Sequence, residues 1–137
     1  MPQVFDNISL SLDSIPWDFN RYQPDIVTIC LGQNDGIQDS VNFTTGYVNF
    51  IRKIRGYYPK AQIVCLTSPM ANEKLRSVMV NYLTSIVATA NKQGDKKVDK
   101  FFFSRGFNNG CGGHPDLKDH EIIASELAAF VRKKMRW

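Results

Sequence analysis

The chain has 137 residues, 43% hydrophobic and 22% charged, with a formal net charge of +4. That size and mixture fit one globular domain with an adequate core, and no apolar run approaches the ~20 residues that span a bilayer. The distribution of the positive charge argues against a nucleic-acid face, because Arg132, Lys133, Lys134 and Arg136 complement a helix end and Lys92, Lys96, Lys97 and Lys100 occupy a helix end and a linker, without interleaved aromatics.

In chain order, residues 1–16 come first. Their alternation, Asn7-Ile8-Ser9-Leu10-Ser11-Leu12, fits an edge strand or a loop equally well. Met1-Pro2-Gln3-Val4 has neither the basic nor the apolar region of a secretory signal. Residues 17–22 read as a short helical turn, ended by Pro24. The run 26–31 is apolar or β-branched without alternation, which predicts a strand buried on both faces. Next, a helix over about 41–57 carries Phe43, Tyr47, Phe50, Ile51 and Ile54 as one stripe, and Pro59 stops it. A second buried strand spans 61–67. The clearest helix runs over about 73–92, with Leu75, Val78, Met79, Tyr82, Leu83, Ile86, Val87 and Ala90 on one face. Asn72 is placed to cap it and Gly94 to end it. Phe101-Phe102-Phe103 belongs to a third strand, and Ile122, Ile123, Leu127, Phe130 and Val131 form the buried face of a last helix. The order β-α-β-α-β-α predicts a parallel sheet with right-handed crossovers.

In such a sheet the ligands and reacting groups collect beyond the carboxyl ends of the strands. Gly32 opens a turn there, followed by Asn34, Asp35 and Gly36. An Asn amide on that rim can donate to a developing oxyanion, although Asn-Asp-Gly is also an ordinary turn. A second candidate stretch, Gly110-Cys111-Gly112-Gly113-His114-Pro115-Asp116, precedes the last helix and offers one imidazole as a base. Of three cysteines, Cys30 and Cys65 fall in predicted strands as core residues, and Cys111 neighbours His114. A Cys111–His114 nucleophilic pair is conceivable, but such pairs come from distant chain positions. No cluster has structural zinc spacing. His120, between Asp119 and Glu121, reads as a solvated surface residue.

The two rim stretches together resemble the SGNH, or GDSL, hydrolases, which carry Gly-x-Asn-Asp after a strand and His-Pro before the last helix. Closer still is the resemblance to carbohydrate esterase family two. Trp17-Asp18-Phe19, Pro24 to Asp35, Arg55-Gly56-Tyr57-Tyr58-Pro59 and Ser68-Pro69-Met70 look like that branch's elements, in its order. The resemblance implies a flavodoxin-like three-layer α/β/α sheet and removal of acetyl or other small acyl groups from carbohydrate esters. It assigns His114 as the base, Asn34 as the oxyanion donor and Gly32 to the oxyanion loop. It implies no metal or organic cofactor, no nucleic acid and no membrane, and an extracellular or periplasmic setting.

Two departures qualify it. The family's Gly-Asp-Ser nucleophile has no match: Asp13-Ser14 has Leu12 where Gly belongs, and Ser14 lies too near Asn34 for two crossovers to fit between them. Ser68 and Ser104 leave strand ends without a nucleophile-elbow context. Met1-Pro2 resembles the family's internal Met-Pro, so residues 1–137 are expected to form a single domain that is the C-terminal portion, about three βα units, of a longer esterase. The edge of strand 26–31 would then pair with an N-terminal portion or a second copy. The family's Asp just before the His is replaced by Gly112 and Cys111. Some family two members manage with a backbone carbonyl, and Asp116 is a further candidate. Two rivals stand beside this reading: a non-catalytic α/β module holding a sugar or a protein, and a flavodoxin-like phosphate or flavin binder, whose loop character 32–36 lacks.

Overall fold

The computed structural model describes residues 3–9 and 12–137, with the side chains of residues 12–14 outside that description, as are Met1-Pro2 and Leu10-Ser11. The alternating N-terminal segment forms a hairpin of β1 (Asn7–Ser9) and β2 (Leu12–Pro16), antiparallel, with Asn7 opposite Pro16. Among the described residues the hairpin pairs with itself and adds no strand to the main sheet. Its foot is tied down by aromatic packing and charge. Phe19, on a 3-10 turn (Phe19–Arg21) capped by Asp18, stacks on Tyr57 with ring centroids 3.7 Å apart, and Asp6 pairs with Lys53 at 2.7 Å.

The main sheet has three parallel strands in the order β3 (Ile26–Ile29), β4 (Gln62–Leu66) and β5 (Val98–Phe101). Alternation along β4 feeds two cores. Ile63 and Cys65 meet α1 (Ser40–Tyr57) and α2 (Glu73–Lys92), where Ile51, Ile54, Leu83 and Ile86 are buried. Val64 and Leu66 meet Ile123, Leu127 and Phe130 of α3 (Leu117–Met135). Helices therefore cover both faces, giving the three-layer α/β/α arrangement that the resemblance implies. No described helix is long and apolar enough to cross a membrane.

At the amino ends of the strands, Arg55 fastens the layers. Its guanidinium holds Asp95 through Nε at 2.8 Å and Nη2 at 3.1 Å, and donates to the Ala61 and Lys97 carbonyls just ahead of β4 and β5. Pinning both strand starts at one point leaves the carboxyl ends as the side from which long loops depart.

Three expectations are corrected. Strand 26–31 is shorter, ending at Ile29, and Thr28 and Cys30 are exposed, because among the described residues β3 is an edge strand paired with β4 alone. Cys30 is therefore not a core residue, whereas Cys65 is fully buried and its burial pushes the thiol up to about 12. The third strand starts earlier, at Val98. Phe102 and Phe103 lie beyond it because the Phe103 N–H turns to the Thr67 hydroxyl at 3.2 Å and its carbonyl accepts from Arg76.

Candidate active site

The loop after β3 is shaped by the core beneath it. Gly32 is buried with φ +100, and a Cβ there would lie 2.9 Å from Met79 Cε and 3.1 Å from Phe43 Cζ. The positive φ favours glycine, and a side chain there would also require Met79 and Phe43 to shift. Past this pivot Asn34 and Asp35 emerge exposed. The Gln38 amide donates to the Asp35 carbonyl, and the Tyr82 hydroxyl of α2 donates to the Gln38 carbonyl at 2.8 Å. Asp39 then caps α1 by accepting from the Asn42 N–H at 2.9 Å. Below, Tyr47 donates to the Ile29 carbonyl at 3.0 Å, steadying the strand end. These residues border an open cleft of about 730 Å³ lined by Gly32, Gln33, Asn34, Asp35, Asn42 and Tyr47 among others. The cleft is rich in amides, and the Gln33 Oε1 is buried there without a hydrogen-bond partner among the described residues.

The second predicted stretch is a tight loop closed on its own backbone. The Gly110 N–H donates to the His114 carbonyl at 2.7 Å, and the His114 N–H donates to the Cys111 carbonyl at 3.2 Å. Gly110 has no room for a side chain, since a Cβ would sit 2.8 Å from the His114 carbonyl oxygen. His114 Nδ1 lies 3.3 Å from the same Cys111 carbonyl. A carbonyl only accepts, so that contact is a hydrogen bond only when Nδ1 carries the proton. The Nε2 lone pair is then free to take a proton from a hydroxyl. The Cys111–His114 relation thus runs through the backbone, with the Cys111 thiol exposed beside it.

Asp116, the other candidate to orient His114, is spent elsewhere: its Oδ1 caps α3 by accepting from the Asp119 N–H at 2.8 Å. Sequence reasoning missed Asp119 itself. It is 1% exposed, and its carboxylate accepts from Arg105 Nη2, the Asn109 N–H and Asn109 Nδ2 at 3.1, 3.0 and 2.9 Å. Burial works against its charge, but the bonds from Asn109 and Arg105 hold the carboxyl below the ordinary aspartate range. The sequence offers the N-cap and N3 spacing of Asp116 and Asp119, a mark of a helix start that says nothing of the bonds from Arg105 and Asn109.

Of the serines considered, Ser68 is buried and its hydroxyl accepts from the Met70 N–H at 3.1 Å, while Ser104 binds Glu126 of α3 through both its N–H and its hydroxyl. Ser14 lies on β2, with its side chain outside the described residues. His120 is exposed. Asn34 and Gly32 share one cleft; His114 is not among the residues lining it. The parallel topology carries both stretches off the carboxyl ends of strands, Asn34 after β3 and His114 between β5 and α3.

A family model of GDSL-like lipases and acylhydrolases matches residues 6–127. The chain belongs to that family. It is 32% identical to the cellulase/esterase CelE of Acetivibrio thermocellus over 146 aligned positions, covering 99% of this chain and 18% of the relative. An acetylxylan esterase/glucomannan deacetylase of Cellvibrio japonicus is 29% identical across 88% of this chain and 34% of its own length. Among solved structures, a family two carbohydrate esterase from Clostridium thermocellum in complex with cellohexaose superposes with a TM-score of 0.85 at 33% identity, covering all of this chain and 45% of that one. One from Cellvibrio japonicus gives a TM-score of 0.91 at 25% identity, covering 99% and 41%. The chain thus spans less than half the length of these relatives, and the resemblance to family two carbohydrate esterases holds in sequence and in fold.

Proposed function

We propose that residues 1–137 form a single domain, the C-terminal portion of an acetyl esterase acting on carbohydrate esters, and supply its base and its oxyanion donor. His114 would accept the proton of a serine and return it to the leaving sugar hydroxyl. The Asn34 amide would donate to the tetrahedral oxyanion, with the Gly32 loop holding it at the cleft. The observation that carries this reading is the Nδ1 contact of His114 with the Cys111 carbonyl at 3.3 Å, which would orient the imidazole without a carboxylate. The nucleophile would come from polypeptide preceding this portion. Two facts favour that: less than half of each relative's length is covered, and β3 has a neighbour on one side only among the described residues. Ligand recognition would fall to the amides of Gln33 and Asn42, because sugar hydroxyls both donate and accept.

That amide-lined cleft also favours a second reading, a module that holds a sugar without cleaving it. One experiment separates the two. The chain is fused behind the segment that precedes the aligned region in CelE, and acetate release from acetylated xylan is measured beside oligosaccharide binding. Release in the fusion supports the esterase. Binding of oligosaccharide by a folded fusion that releases no acetate supports the module.

A further inference from the structure

We propose that Asp119 is the positioning residue of the His114 loop, setting where the imidazole stands although it touches neither imidazole nor substrate. The proposal rests on the reading of His114 as the base. His114 Nδ1 contacts an uncharged backbone carbonyl, that of Cys111, on a loop that contains Gly112 and Gly113 at φ +61 and +75. An imidazole held that way is only as well placed as the loop beneath it. The loop's one charged, buried anchor among the described residues is the Asp119 carboxylate, 1% exposed in the first turn of α3.

The connection is continuous along the backbone. Asp119 takes both the N–H and the side-chain amide of Asn109, at 3.0 and 2.9 Å. The next residue, Gly110, donates to the His114 carbonyl at 2.7 Å. Arg105 adds a charged bond at 3.1 Å and lies over the Phe107 ring at 4.2 Å, so the loop is fastened at two points on the same carboxylate. Phe107 itself is fully buried, and its N–H donates to the Pro69 carbonyl at 2.7 Å. The loop is thus held by the packing of Phe107 between its two attachments to Asp119, Arg105 and Asn109. Charge-assisted bonds to a buried carboxylate are the stronger kind, which suits an anchor standing in for a carboxylate on the histidine.

The test reads the imidazole itself, in the intact chain, by ¹⁵N NMR of the two histidines, with His120→Gln used to assign them. Wild type should show His114 protonated on Nδ1, whereas a solvated imidazole favours Nε2. Asp119→Asn keeps the shape but loses the Arg105 pair and sets an amide donor against Asn109. In it, the His114 pattern should move toward the Nε2–H form, and the Gly110 and His114 amides should exchange at least tenfold faster. The β4 amides should be unchanged. A folded Asp119→Asn with the wild-type His114 pattern and loop exchange overturns the proposal, leaving Asp119 a helix stabiliser. So does a wild type already in the Nε2–H form. Should Asp119→Asn fail to fold, Asn109→Ala in the exposed loop decides: a smaller shift of the same sign supports the proposal, and an unchanged pattern overturns it. If the signature moves as expected while His114→Ala leaves turnover of the fusion enzyme intact, the base assignment fails and the positioning role stands.

Discussion

Gly32 joins the core to the candidate oxyanion loop, and replacing it with alanine measures how tightly. Its φ of +100 is a conformation that side chains rarely adopt, and the added Cβ would meet Met79 Cε at 2.9 Å, Phe43 Cζ at 3.1 Å and Met79 Sδ at 3.2 Å. Backbone strain of this sort costs about 1–3 kcal/mol, and crowding a packed core adds about 1–3 kcal/mol. The sum, about 2–6 kcal/mol, is a large share of the roughly 5–15 kcal/mol by which a domain is stable. Gly36 supplies an internal control. Its φ is +65 with nothing within 4 Å of a Cβ, so Gly36→Ala bears the backbone cost alone, about 1–2 kcal/mol. Urea unfolding of the two variants should place Gly32→Ala lower by about 1–3 kcal/mol, the crowding term. Part of the gap should close in a Gly32→Ala/Met79→Ala background, where the neighbour is gone. A Gly32→Ala within about 0.5 kcal/mol of Gly36→Ala would refute the reasoning, since surface-like behaviour of that size means Met79 and Phe43 step aside freely.

The isolated chain should turn over nitrophenyl acetate no faster than background, because a base and an oxyanion donor cannot form an acyl-enzyme by themselves. Turnover that vanishes in Ser14→Ala would mean the spacing argument is wrong, and loss in Cys111→Ala would revive the cysteine pair. Along the side of β3 that has no strand neighbour among the described residues, the chain should dimerise or bind a hydrophobic dye. A cooperative, dye-free monomer by sedimentation at tens of micromolar would show that the edge is covered. The acid limb of stability should follow Asp119 and Asp99. Burial opposes ionisation of Asp99, but Lys134 at 2.7 Å holds it below the usual range, as Asn109 and Arg105 do for Asp119. Folded values below unfolded ones stabilise fully above about pH 4 and are lost as pH falls through the folded values. Urea midpoints between about pH 2 and 6 should show a shallower acid limb in Asp119→Asn; an identical limb would contradict the assignment.

Much of the scaffold was legible because its signals are local. α2 runs over Glu73–Lys92 as its apolar period indicated, with Asn72 accepting from the Leu75 N–H at 2.9 Å. Strand burial was less legible, because an apolar run does not reveal how many neighbours it has. Thr28 and Cys30 look like core in sequence and face outward in the fold. The phenylalanine run also misled, since Phe103 is buried by a turn that Thr67 and Arg76 impose from elsewhere in the chain. At the candidate site, Asn34 and His114 were visible as residue types in rim loops. The contact of His114 with the Cys111 carbonyl could not be picked out from side chains, because a backbone carbonyl leaves no mark in a sequence. Asp119 was hidden for the opposite reason: in the charged run Asp119-His120-Glu121 it looks solvated, and only the return of the 105–109 loop buries it.

The central claim is that this chain carries the base and the oxyanion donor of an esterase, and kinetics of the fused enzyme on acetylated xylan test it most directly. Asn34→Ala should lower kcat by about 10²–10³ with KM nearly unchanged, because the bond forms only as charge develops on the oxygen. His114→Ala should lower kcat as well, by about 10²–10⁴. An Asn34→Ala or His114→Ala enzyme that keeps wild-type kcat would contradict the account.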